Sequence, residues 1–87
     1  MMIKFRGRRY EVVFYEHAKA QMALRNLDVP TVLSVIESGE IKEKRTKNKY
    51  WAFKSVHGRK DNMISVALVV EPPHLIVITT LVNWRPK

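Results

Sequence analysis

Apolar and polar positions alternate with a period of two over Arg9–Tyr15. Tyr10, Val12 and Phe14 fall on one side, and Glu11, Val13 and Tyr15 on the other. That is the pattern of a strand with one face buried. Ile3–Arg6 reads as its hairpin partner, and Gly7-Arg8 between them suits a tight turn because glycine tolerates positive φ. The period then lengthens. Glu16–Leu27 (EHAKAQMALRNL) is rich in helix formers and carries Glu16 near the positive end of the helix dipole. At the helical step of about 100° per residue, His17, Gln21 and Arg25 form one stripe. Ala20, Ala23, Leu24 and Leu27 flank it on one side, Ala18 and Met22 on the other. Three polar side chains therefore sit in the middle of the apolar arc that is expected to face a sheet.

Asp28 has the position of an N-cap for a second helix, with Pro30 in its first turn, where a missing N–H costs nothing. Val29, Val32, Leu33 and Ile36 give that helix an apolar side, and Gly39 is placed to end it in a left-handed conformation. From Glu40 the pattern returns to strands. Ile41–Thr46 is highly charged, as suits a solvent-exposed edge, and Lys47-Asn48 is a turn. Lys49–Val56 alternates, His57–Asp61 is a polar loop, and Asn62–Glu71 holds MISVALVV, a β-branched run suited to a central strand buried on both faces. Pro72-Pro73 breaks the chain before a last β-branched run, Leu75–Trp84. The order β-β-α-α-β-β-β-β, with helices segregated from strands, predicts one α+β domain over residues 1–87. Its two helices pack on one face of a twisted antiparallel sheet.

Composition narrows the chemistry. Cysteine is absent, which removes disulfides, thiolate nucleophiles and thiolate metal sites. His17, His57 and His74 lack the spacing of a metal site, so neither metal nor cofactor is expected. There is no phosphate-cradling glycine loop and no clustered carboxylate set for two-metal nuclease chemistry. No apolar run approaches a membrane span, and the MMIKFRGRRYEV start lacks a signal-peptide core, so a cytoplasmic location without membrane contact is expected.

Charge points to the partner. Sixteen Lys and Arg against eight Asp and Glu leave a net +8, a field that concentrates polyanions such as RNA, or an acidic protein. Half of the cations lie in one stretch: Lys42, Lys44, Arg45, Lys47, Lys49, Lys54, Arg59 and Lys60, interleaved with Tyr50, Trp51 and Phe53. Cations beside aromatic faces suit a phosphate backbone with unpaired bases. They suit equally a core of aromatics with lysines guarding an edge. His17 is read in two ways. It is either a hydrogen-bonded histidine tying helix to sheet, with Arg25 reaching past it to solvent, or an acid–base residue for attack by an RNA 2′-hydroxyl, with Arg25 stabilising charge on phosphate oxygens. Thr79 and Thr80 are the polar residues of the last apolar strand, and one must point to each face. The one under the helices could bind phosphate or position His17.

The segment YEHAKAQMALRNLDVPTVLSVIESGEI resembles a bacterial domain-of-unknown-function family, numbered four-two-five-eight. The marks are His17-Ala18, Met22 and Arg25 on the first helix, Gly39-Glu40-Ile41 after the second, and Ile78-Thr79 in the final strand. That family looks like a relative of RelE/ParE-type toxins and of the barnase, EndoU and colicin-like ribonucleases. The resemblance implies a RelE/ParE-like fold and a toxin-type, metal-independent ribonuclease, with His17, Arg25 and Thr79 as catalytic positions and an acidic antitoxin-like protein as a further partner. It also leaves room for a non-catalytic nucleic-acid- or protein-binding module, or a toxin acting on a protein such as gyrase. Family members often carry Arg just before the helix methionine. Here that residue is Gln21.

Overall fold

A computed structural model describes residues 1–60 and 62–87. Asp61, the last residue of the predicted HGRKD loop, lies outside the described residues. The elements follow the expected order: β1 (Met2–Phe5), β2 (Arg8–Phe14), α1 (Glu16–Leu24), α2 (Val29–Ser38), β3 (Glu40–Glu43), β4 (Lys49–Ser55), β5 (Met63–Glu71) and β6 (His74–Val82). They form one six-stranded sheet in the order β1-β2-β6-β5-β4-β3. The predicted sheet was antiparallel throughout, whereas the observed one is mixed. β2 and β6 run parallel, in register from Glu11↔His74 to Phe14↔Val77. The β1–β2 hairpin and the β3–β6 meander are each antiparallel because short turns make them so. How the two blocks join is decided by the helices between them, which act as the crossover that a parallel pair requires.

The β1–β2 turn is Arg6-Gly7, with φ of 51° and 84°. Two positive φ values match the right-handed twist of a hairpin. The sheet curls until its two edges meet. Phe5 of β1 stands edge-on to Tyr50 of β4 at 5.4 Å, and the Arg6 guanidinium lies 5.2 Å from the same ring and 3.4 Å from Glu43 of β3. The inner face buries Ile3, Phe5, Tyr10 and Val12 with Ile64, Val66, Leu68, Leu75 and Val77 under both helices.

α1 stops a turn earlier than expected. Asn26 takes φ 56°, its N–H donates to the Ala23 carbonyl, and the Leu27 N–H donates to the Met22 carbonyl at 2.9 Å. These two bonds form a Schellman ending, and Leu27 turns inward to join Met22 in the core. Leu24, the last helical residue, points out and is 81% exposed. α2 begins as predicted: the Asp28 carboxylate accepts from the Thr31 N–H at 2.9 Å. Hydrogen bonding from Thr31, by its side chain first and this N–H second, holds the Asp28 carboxyl below its ordinary value of 3.8. A carboxylate with a lowered folded-state pKa contributes stability fully above its unfolded value and loses it as pH falls through the folded one. Asp28→Ala should therefore lower the melting temperature at pH 7, and the gap from wild type should close as the pH is taken below 3.8. Melting curves by circular dichroism across that range check it.

Gly39 does not take the predicted left-handed conformation. It is extended, with φ −78° and ψ 176°. Glycine is needed there for space: a Cβ would run into the Val35 carbonyl oxygen and come 2.7 Å from that of Phe53. This close approach lets β3 leave α2 directly beside β4.

Candidate nucleic-acid interface

α1 packs on β6 through Ala18 and Met22, which are buried one above the other. The predicted polar stripe is thus not centred on the sheet. The helix is rolled by about 80° relative to that expectation, taking 100° per residue, and the stripe lies along the boundary between helix and solvent. His17 is exposed and makes no hydrogen bond to any described residue, so it is not the tie between helix and sheet that one reading required. Its neighbour Glu16 is engaged with Lys19 at 3.2 Å. Gln21 and Arg25 are half-buried, and Arg25 Nε donates to Gln21 Oε1 at 3.2 Å. The amide therefore ties the guanidinium to the middle residue of the stripe, one turn along from His17.

Thr79 does not join them. On β5 and β6 the register runs Ala67↔Thr79 and then Leu68↔Val77, so Ile78 is an extra residue in a β-bulge. The bulge reverses which side chains face inward after it. Leu75 and Val77 point to the core, but so does Thr80, opposite Val66, while Thr79 shares the outer face with Ala67. Thr80 is fully buried and its hydroxyl has no hydrogen-bond partner among the described residues. An unpaired buried hydroxyl costs about 1–3 kcal/mol, and Thr80→Val keeps the shape. That variant should raise the urea midpoint, by an amount corresponding to about that energy, with no change in the denaturant slope.

The eight basic candidates separate into groups. Lys54 faces inward opposite Ile64, and its ammonium donates to the Ser34 and Ser38 hydroxyls of α2 at 2.7 and 2.6 Å. Arg59 donates to the Arg25 and Asn26 carbonyls at 2.8 and 2.9 Å, satisfying the negative end of α1. Both hold the fold together. Lys60 is exposed in the β4–β5 loop. At the opposite end of the sheet, Lys42, Lys44, Arg45, Lys47 and Lys49 gather around β3 and its turn into β4.

Beside that group lies an aromatic site on the outer face. Asn83 takes φ 57° and turns the chain out of β6. Trp84 then crosses the sheet: its carbonyl accepts from the buried Ser65 hydroxyl, and its ring meets Trp51 at 4.8 Å with a 57° tilt. Lys44 Nζ sits 4.4 Å from the centre of the Trp51 ring. Burial, and secondarily the charge of Lys49, hold the Lys44 ammonium below its ordinary 10.5. Trp51, Trp84, Lys42, Lys44 and Arg45 line an open groove of about 470 Å³. Among the described residues no group of three or more His, Asp or Glu is placed to hold a metal ion, and no helix is long and apolar enough to cross a membrane.

Comparison with known proteins bears on these positions. A family described as a domain of unknown function, DUF4258, matches residues 14–82. The chain belongs to the DUF4258 family. No curated protein and no solved structure matches it. The DUF4258 span contains His17, Arg25, Trp51 and Thr79, and Trp84 lies just beyond it. The apolar pattern places Trp84 at the end of the final strand, whereas it lies beyond β6 and crosses the outer face. The available signal was a large aromatic directly after Asn83, a residue type that readily leaves a strand through positive φ.

Proposed function

We propose that this DUF4258 protein is a RelE/ParE-like, toxin-type domain that acts on RNA in the cytoplasm and cleaves it without a metal. The observation that carries the proposal is the exposed His17, on one stripe with an Arg25 guanidinium that is bonded to Gln21 between them. In the proposed reaction His17 removes the proton from a ribose 2′-hydroxyl. The 2′-oxygen attacks the adjacent phosphorus, and the bond from phosphorus to the 5′-oxygen breaks. A 2′,3′-cyclic phosphate is left on one fragment, and the departing 5′-oxygen takes up a proton. Arg25 supports the charge that builds on the non-bridging oxygens, a task suited to its planar, permanently charged fork. The net +8 supplies long-range attraction for the substrate, and the same field would draw an acidic antitoxin-like protein.

A second reading is favoured by Thr79. This third position implied by the family resemblance lies on the outer face, the face that also carries Trp51 and Trp84. That supports a module which binds nucleic acid without cutting it. The two readings separate when purified protein is incubated with total RNA in chelator. Fragments ending in cyclic phosphate support the ribonuclease. Salt-sensitive binding without fragments supports the binding module.

A further inference from the structure

We propose that the groove between Trp51 and Trp84 is a stacking site for an unpaired RNA base, with the flanking phosphates held by Lys42, Lys44 and Arg45. The proposal rests on the RNA-directed reading above but not on cleavage.

Three features of the groove support it. The first is the aromatic geometry. Trp84 is 41% exposed and its ring is tilted by 57° from Trp51, so the two indoles form an open wedge instead of a closed stack. Its volume of about 470 Å³ falls in the roughly 300–1,000 Å³ range of small-ligand clefts. The wedge is also held in place before binding: Ser65, itself fully buried, donates to the Trp84 backbone, and the Trp51 backbone is fixed between β3 and β5. Little ordering entropy then remains to be lost on binding.

The second feature is charge. Four cationic side chains border the aromatics, Lys42, Lys44, Arg45 and Lys87, and the acidic side chain lining the groove, Glu43, is paired with Arg6 at 3.4 Å. Lys44 already lies over the Trp51 ring at 4.4 Å, crowded by Lys49 and partly desolvated. A phosphate arriving there relieves the like-charge repulsion and gives the ammonium a charged acceptor.

The third is the strand register. Strand register sets Lys42, Trp51, Ala67 and Thr79 side by side on the outer face. Ala67 is buried beside the indole, and Thr79, half-buried, follows it on the same face. Aromatic side chains on an open sheet face with hydrogen-bonding groups nearby are a general means of holding single-stranded RNA. A duplex, with its bases already stacked, gains nothing from the wedge. An acidic peptide would use the cations but not the flat indole faces.

The test uses a fluorescent 2′-O-methyl oligoribonucleotide of mixed sequence, whose blocked 2′-oxygen keeps cleavage out of the measurement. Binding should quench tryptophan emission and weaken as salt rises. Trp84→Ala should weaken binding by about 5- to 150-fold, the range for losing one base–aromatic stack. Trp84→Phe, which retains a stacking ring, should recover most of that loss. Lys44→Gln should weaken binding and flatten the salt dependence. Equal affinity of Trp84→Ala and wild type would overturn the proposal. So would equal binding of duplex RNA, or equal quenching by polyglutamate, since either means that charge alone is recognised. If the oligomer binds as described and natural RNA is never cut, the stacking site stands and the ribonuclease reading fails.

Discussion

Replacing His17 with alanine is expected to slow RNA cleavage by about 10²–10⁴-fold, the usual contribution of a positioned acid–base residue. The substitution is well suited to the question. His17 is exposed and makes no hydrogen bond to any described residue, so nothing in the fold leans on it. Alanine is also a better helix former at that position. Thermal melting should therefore be unchanged or slightly improved while cleavage falls, which separates a chemical role from a structural one. Arg25 calls for a different comparison. Its Nε bond to Gln21 orients a planar group, and a lysine would keep the charge but not the fork. Arg25→Lys should accordingly behave more like a loss than a conservative exchange, with its effect on the turnover rate.

Leu68→Ala is expected to remove about 2–5 kcal/mol of stability, the range for deleting a buried leucine side chain. This is a large share of the roughly 5–15 kcal/mol that holds a typical domain together. Leu68 is fully buried, with Tyr50 of β4 and Val77 of β6 as its cross-strand neighbours. The bulge at Ile78 lies immediately beside it. Leu24→Ala is the matched control. Its side chain is 81% exposed, and its effect should stay within about 0.5 kcal/mol. Urea titrations followed by circular dichroism measure both, through a shift in midpoint at unchanged slope.

The contrast between Leu24 and Leu68 shows how much of the molecule can be read from its residues. Features governed by neighbours in sequence were legible. The order of elements, the β1–β2 hairpin, the Asp28 cap and the burial of β5 on both faces all follow from local chemistry. Features governed by distant packing were not. α1 has apolar residues almost all round, so its sequence does not say which arc meets β6, and the side bearing Ala18 and Met22 was chosen by tertiary contact. The parallel β2–β6 pair joins residues 63 positions apart, Glu11 to His74 among them, and no turn between them records their relative direction. The bulge at Ile78 has the same character. Strict alternation from Leu75 and Val77 would point Thr79 inward, whereas one extra residue sends it outward and buries Thr80 instead. That single shift separates Thr79 from His17 and gives it to the face carrying Trp51 and Trp84. Gly39 was recognised as the end of α2, but its need for glycine comes from the Phe53 backbone across the turn, a contact that no local pattern encodes.

The charge pattern was legible only as a total. Within the stretch Lys42–Lys60, Lys54 and Arg59 prove to be bound to α2 and to the end of α1. Their neighbours around β3 gather at the other end of the sheet, where Trp84 crosses to meet Trp51. On the proposed reading, binding and cleavage fall on different faces, so variants at the outer face should change affinity and variants on α1 should change rate.

The most direct test compares two oligonucleotides of one sequence, one all-ribose and one all-deoxyribose, incubated with the wild-type protein in chelator. The account predicts that the ribose strand is cut to fragments ending in 2′,3′-cyclic phosphate while the deoxyribose strand stays intact. Cutting of both strands, or of neither across a range of salt and pH, would contradict it.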